Sequence, residues 1–354
     1  MLFIFPPTEI VCVDPVRISF FGDVYLDSKG NQRGESLFKN VQPLLEWGHF
    51  NVANFEGVVT ESSEKEFPDL PFALKSEKNL PGILAKYNIK YLTRANNHAM
   101  DYGITGMTDT SAALRNQNIR WAGVGENSQK ANEPFFLNRN GLRIAVLSST
   151  TTIPMEAWAS RNSPGVSQPE SEAFLKSLRA ARLVADAVIV VFHWGEELSA
   201  KIKPHQEKFA QLAVNEGADL VIGHHAHVAQ AISEFKQKPI VYGLGNFVFT
   251  GKGTYPFSIS THIEVCAAQE KPGVNLRIAH TPLRTYSKAN GYSTEPYATL
   301  DFIKMARKYF DQNYFPHNAM FYIYEKNRSL PFKIWMQDPQ FSELSAAQPH
   351  RVAN

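Results

Sequence analysis

Gly217-Ala-Asp-Leu-Val-Ile-Gly-His-His-Ala-His-Val228 joins two patterns: an apolar run at 220–222 and three histidines within four residues directly behind it. A short apolar run between turn residues reads as a buried strand. Imidazoles crowded at the end of such a strand are costly unless something binds them. The segment therefore predicts a strand whose carboxyl end opens on metal or phosphate chemistry.

The same arrangement recurs outward along the chain. Apolar runs over 18–21, 144–147, 187–192, 220–222 and 240–242 read as buried strands, and amphipathic stretches over 103–116, 169–182 and 204–216 read as helices between them. Alternating strand and helix over this length predicts an α/β protein layered around a largely buried sheet. Farther on the pattern changes to successive strands at 247–249, 258–266 and 274–280. After about residue 286 it weakens, with one amphipathic helix expected over 298–310 and a polar, frayed end from 340. There is no internal repeat and no low-complexity linker. The expected organisation is one main domain, residues 1–285, and a C-terminal extension, residues 286–354.

Polar clusters fall where the apolar runs stop. Asp23 follows 18–22, Glu56 follows 50–55, Asn96-Asn97-His98 follows 89–95, His193 closes 187–192, and His224-His225-Ala226-His227 follows 220–223. Ligands of an open parallel sheet bind outside the carboxyl ends of its strands, so these ends are expected to converge on one edge. Oxygen and nitrogen donors without sulfur suit Mn, Fe, Zn or Mg. A carboxylate able to bridge suits two-metal displacement at phosphorus or at a carbonyl.

Each residue also has a bland reading. Asp23 or Glu56 alone is a turn residue or N-cap, and Asn96-Asn97 alone a turn. His193 is harder to dismiss, because an apolar run ending in His-Trp-Gly-Glu-Glu is an odd close for a structural strand. Of the 11 histidines, His98, His193, His224, His225 and His227 sit in these motifs; His49, His205, His262, His280, His317 and His350 read as structural or surface.

Composition narrows the classes. With 354 residues, 44% hydrophobic and 20% charged, the chain has ample material for a buried core. Its 36 Lys and Arg against 34 Asp and Glu leave a net charge of +2, which gives no electrostatic case for nucleic acid or an anionic membrane surface. Cys12 and Cys266 make neither a disulfide framework nor a metal pattern, and lean toward a cytosolic setting. Pro6, Pro7 and Glu9 break the apolar start before it forms a signal h-region, and no window reaches the roughly 20 apolar residues of a spanning helix. Taken as complete, the chain reads as soluble and cytoplasmic, with membrane association or export left open.

Six motifs in order carry a family resemblance: Gly22-Asp23; Asn54-Phe-Glu56-Gly; Ala95-Asn-Asn-His98 with Met100-Asp-Tyr-Gly103; His193-Trp-Gly195 with Glu197; Gly217 to Val228; and Tyr242-Gly-Leu-Gly-Asn-Phe247. From about Arg17 to Phe249 the chain resembles the CapA family of poly-γ-glutamate capsule biosynthesis. That family is similar in fold to calcineurin-like metallophosphoesterases, which implies an α/β/β/α sandwich with a dinuclear metal site. By the resemblance, Asp23, Glu56, Asn97, His193, His225 and His227 are the metal ligands, holding one or two divalent ions (Mn, Fe or Zn). His98 is implied as the general acid and Glu197 as a second catalytic group orienting the site. Asn54, Asn96, His224 and Asn246 are implied as substrate contacts, with His224 open to a ligand role as well.

Departures are informative. Metallophosphoesterases carry a histidine two residues after the first Asp, where this chain has Tyr25. Glu56 replaces the second-motif Asp, Asn96 the Gly of Gly-Asn-His, and Ala226 and Gly243 stand where proline and serine are common. The expected function is a metal-dependent hydrolase or transferase acting on a γ-glutamyl amide or a phosphoryl group. The alternatives are an accessory protein binding the polymer or its synthase components, and an ordinary metallophosphatase.

Overall fold

The computed structural model of the protein describes residues 14–27, 33–69, 72–250, 258–267, 273–285 and 293–296, with the backbone of short strands at 321–323 and 332–334. The helix expected over 298–310 and the polar end lie outside the described residues.

In chain order the strands are β1 (Val16–Tyr25), β2 (Phe50–Phe55), β3 (Ile89–Thr93), β4 (Arg120–Ala122), β5 (Val124–Gly125), β6 (Phe135–Arg139), β7 (Leu142–Thr150), β8 (Gly165–Val166) and β9 (Ala187–His193). They continue as β10 (Leu220–His224), β11 (Ile232–Phe235), β12 (Lys238–Val241), β13 (Asn246–Phe249), β14 (Ser258–Ala267), β15 (Val274–Arg284), β16 (Glu295–Pro296), β17 (Phe321–Ile323) and β18 (Phe332–Ile334). The α-helices are α1 (Gln42–Trp47), α2 (Leu80–Lys86), α3 (Gly103–Asn116), α4 (Ser128–Ala131), α5 (Glu172–Val184) and α6 (Pro204–Asn215).

These strands form two main sheets where the sequence pattern suggested one. The first runs β18-β17-β15-β14-β1-β2-β3-β4, with β13 also on β1 and β16 on β15; the second runs β11-β12-β10-β9-β7-β6. Periodicity reports that a segment is a strand and which of its faces are apolar, but not which sheet it joins. Both faces of β9 are apolar for that reason. Ile189 and Val191 enter the core between the sheets with Ile18, Phe20, Ile144 and Ile222, while Val188, Val190 and Phe192 pack outward against Phe174, Leu178, Phe209 and Ala213 of α5 and α6. On the far side Phe21, Ala53 and Leu92 pack against Leu44, Leu45, Leu84 and Leu114 of α1, α2 and α3. Each such side chain fully buried contributes about 1.5–3 kcal/mol. The layers are α/β/β/α, as expected for a metallophosphoesterase-type sandwich.

Local chemistry sets the ends. Ser171 caps α5 by accepting Phe174 N–H at 3.1 Å. Pro204 opens α6 and Gly217, at φ 114°, turns the chain out of it toward β10. Two glycines permit close backbone approach: a Cβ on Gly22 would lie 1.9 Å from Gly245 O, and one on Gly223 would lie 2.0 Å from Tyr242 O.

Two expectations change. Asp23 is not beyond its strand: β1 continues to Tyr25, with a register shift at Asp23 where pairing passes to β13, a bulge that re-aims the side chain. Cys266, on β14, is disulfide-bonded. The cysteine pattern had suggested no such bond. Among the described residues no helix is long and apolar enough to cross a membrane.

Candidate metal centre

Parallel strands of both sheets end at the seam between them. The first sheet brings Asp23 on β1, Glu56 after β2, Asn97 after β3 and Asn246 on β13; the second brings His193 on β9 and His224, His225 and His227 at and after β10. Parallel pairing of β9 with β10 sets His193 beside His224. His225 and His227 take φ of 90° and 54°, left-handed conformations that cost a histidine about 1–3 kcal/mol each and persist where the surroundings enforce them.

Two groups of donor atoms converge, each with its atoms within 4.8 Å of one another: Asp23, Glu56 and His227, and Glu56, His193 and His225. Glu56 belongs to both. Its Oε1 lies 3.6 Å from His227 Nε2 and 3.8 Å from His193 Nε2. Nε2 of His193 in turn lies 2.8 Å from Asn97 Oδ1 and 3.1 Å from His225 Nδ1. Asp23 Oδ2 and both Glu56 carboxylate oxygens are buried without a hydrogen-bond partner. Buried anionic oxygens are costly unless paired or coordinating a cation, so the donor set fits a divalent ion.

Electrostatics agree. Burial, then the Asp23, Glu197 and Asp101 charges, push the Glu56 carboxyl well above its usual range. Burial pushes Asp23 up as well, but His224, His227 and Asn54 outweigh it and hold the carboxylate low. Burial, reinforced by neighbouring imidazoles, drives His193 well below its usual value and His225 down to about 3. Neutral imidazole is the form that ligates.

The remaining expected residues divide by exposure. His98 stands at the opening, Nδ1 bonded to Asp101 Oδ2 at 2.7 Å and Nε2 3.9 Å from Glu56 Oε1. Glu197 is exposed on the turn after β9, a turn pinned by Leu198 N–H donating to Ala226 O at 2.8 Å. Asn54, Asn96, His224 and Asn246 are all buried to 2% exposure or less. Asn54 Nδ2 and His224 Nδ1 each lie 2.8 Å from Asp23 Oδ1, and Asn246 Oδ1 lies 2.8 Å from His227 Nδ1. Asn96 donates to Asn54 Oδ1 at 3.2 Å and accepts His98 N–H at 3.1 Å. Each of the four is thus hydrogen-bonded within the cluster of donor groups. Asp101 belongs to the Met100-to-Gly103 motif, but the motif assigns it no role; its three-residue spacing from His98 across a turn is the signal for their pairing.

An α/β/β/α sandwich with a carboxylate–imidazole centre at the seam of its sheets is the class that fold and site define. The chain belongs to the bacterial capsule synthesis protein PGA_cap family, whose model matches residues 17–251. The PGA biosynthesis protein CapA of Bacillus subtilis is 33% identical over 69% of this chain and 66% of its own length. The capsule biosynthesis protein CapA of Bacillus anthracis is 34% identical over 60% of this chain and 53% of its own. The chain thus spans about half to two thirds of the curated relatives it matches. Among solved structures, the Haemophilus influenzae NAD nucleotidase aligns with TM-score 0.45 and 11% identity over 88% of this chain and 64% of that one.

Proposed function

We propose that the protein is a metal-dependent hydrolase acting on γ-glutamyl amide bonds of poly-γ-glutamate or a related capsule precursor, with a phosphoryl group as the alternative electrophile. The observation that carries this reading is the trio of partnerless buried oxygens on Asp23 and Glu56, ringed by imidazoles. The capsule setting is supported by the family and by the names of its Bacillus relatives. The disulfide at Cys266 supports a location outside the cytosol.

One or two ions, Mn, Fe or Zn, would be held by Asp23, Glu56 and His227 on one side and by Glu56, Asn97, His193 and His225 on the other. When bound, such an ion supplies Lewis acidity and acidifies a water toward neutral pH. The chain's own residues do the rest. Asp101 accepts from His98 Nδ1 and so fixes the ring orientation, leaving Nε2 turned toward the centre to carry a proton for the leaving group. Asn54 and His224 hold the Asp23 carboxylate, and Asn246 holds His227. Burial, with Asp27, Tyr102 and Asp101 nearby, pushes Tyr25 up to about 12, so it stays a neutral phenol. That weighs against ordinary phosphodiesterase chemistry, in which a histidine fills this position.

The test is elemental analysis of protein purified without added metal, beside His225→Ala, followed by turnover of a γ-glutamyl anilide and an aryl phosphate. One or two equivalents of metal, lost in the variant, with cleavage of the anilide, is the expected result. Cleavage of the phosphate alone makes the protein a metallophosphatase. Metal-free protein that takes up neither Mn²⁺ nor Zn²⁺ overturns the hydrolase reading and leaves an accessory protein that binds the polymer or its synthase.

A further inference from the structure

A cavity of about 890 Å³ lies where β4, the edge of the first sheet, meets β6, the edge of the second, closed by the C-terminal half of α3. None of the expected site residues lines it. Its wall combines aromatic surface (Tyr91, Trp121, Phe135) with two arginines, Arg115 and Arg120. Neither arginine makes an ion pair among the described residues. Lys130 and Glu133, also in the lining, neutralise each other at 2.9 Å, which leaves one carboxylate, Glu126, against the two arginines.

Directly behind this wall is a buried cation without an anion. Arg94 is 1% exposed and has no carboxylate partner among the described residues. Its Nη1 donates to Ser111 Oγ at 2.7 Å and its Nη2 to Met107 O at 3.2 Å, while Nε is left unsatisfied. Burial presses its pKa down to about 9, so it remains charged at neutral pH. Ser111, Met107 and Trp121 separate it from the cavity they line, and the guanidinium groups of Arg94 and Arg115 each lie 5.7 Å from the Trp121 ring centroid. Buried charges are ordinarily paired. Two guanidinium groups on the cavity wall and a third buried behind it, against Glu126 as the one lining carboxylate without an ion pair among the described residues, leave a local excess of positive charge.

We infer that this cavity binds the carboxylates of a γ-glutamyl chain, as a second contact for the polymer away from the metal centre. Such a chain alternates carboxylates with short apolar and amide segments, which match guanidinium groups and aromatic wall respectively. The anion preference follows from the cavity alone; the γ-glutamyl identity rests on the proposed function. Arg94 immediately precedes Ala95-Asn96-Asn97-His98, and α3 runs from the centre at Gly103 to the cavity at Arg115. A chain seated here is therefore anchored on the same helix that borders the centre.

The test is binding of synthetic hexa-γ-glutamate to the full chain, read by calorimetry at low and moderate salt, with metal content measured in parallel. Arg115→Ala/Arg120→Ala alters two exposed side chains and should weaken binding at least tenfold with metal content unchanged. Trp121→Phe should weaken it less. The His225→Ala protein, short of its metal, should bind the hexamer as wild type does, so this outcome is independent of whether any bond is cleaved. Equal affinity in wild type and the arginine pair variant overturns the inference. So does loss of binding only in His225→Ala, which would seat the polymer at the centre, or binding of α-linked hexaglutamate in preference to the γ-linked chain.

Discussion

His98, half-buried beside Glu56, is bonded at 2.7 Å to the buried Asp101. If His98 carries the proton, His98→Ala keeps metal and lowers turnover by about 10²–10⁴-fold; an unchanged rate in a metal-replete variant removes it from the chemistry. Asp101→Asn, which keeps size and hydrogen bonding but loses charge, should lower turnover about tenfold or more, in the range of orienting partners. The check is kcat at equal metal content. Residues of this centre differ in how legible they were. His225 and His227 stood out because three imidazoles share four positions. Asp101 was visible as part of a motif but its role was not, because its partnership exists only once the turn after Asn96 folds His98 back onto it. The roles of Asn54 and Asn246 were equally hidden: a buried amide facing a ligand and an exposed amide facing solvent are written with the same letter.

At the scale of elements, strands announced themselves because both faces of β9 and β10 are apolar, and α3 was delimited by its own amphipathic pattern at 103–116. Periodicity alone did not carry the division into two sheets, which came only with the family resemblance, nor the bulge at Asp23, since both depend on pairing between segments far apart in the chain. Close approach of β1 to β13 makes a sharp prediction. Gly22→Ala would set a Cβ 1.9 Å from Gly245 O, and should cost about 3 kcal/mol or more or yield insoluble protein. Gly82→Ala, on α2 with nothing within 4 Å of the added Cβ, should instead stabilise by about 0.5–1 kcal/mol. Urea midpoints of the two variants, read against wild type, check both signs.

Across the whole molecule, stability should fall with acid for reasons outside the centre. His262 and His280 are buried, and burial drives each down to about 3. In the unfolded chain they take protons near 6.5, so between pH 6.5 and 3 the unfolded state binds more protons and stability falls as pH falls; above 6.5 the effect is fully relieved. At pH 5 each histidine costs roughly 2 kcal/mol. Unfolding midpoints at pH 7.5 and 5.0 should therefore differ, and His280→Asn should narrow the gap; a pH-independent midpoint would refute the assignment. The seam location of the centre adds a second global effect. Donors from both sheets mean that a bound ion fastens one sheet to the other, so a chelator should lower Tm in wild type and leave His225→Ala unmoved.

Asp23 meets His224 across 201 positions of chain, and the last residue of the cluster to be made is Asn246. On the ribosome this distance becomes time. At roughly 5–20 residues per second, some 10 to 45 seconds separate synthesis of the first carboxylate from that of the amide that steadies His227. For much of that interval β1, β2 and β3 are made, while β9 and β10, which carry the histidines, are not. Completion of the donor set is thus a late event in the life of the nascent chain. A chain stalled or cut short of residue 187 would carry the acidic half of the centre without the strands β9 and β10 to close it.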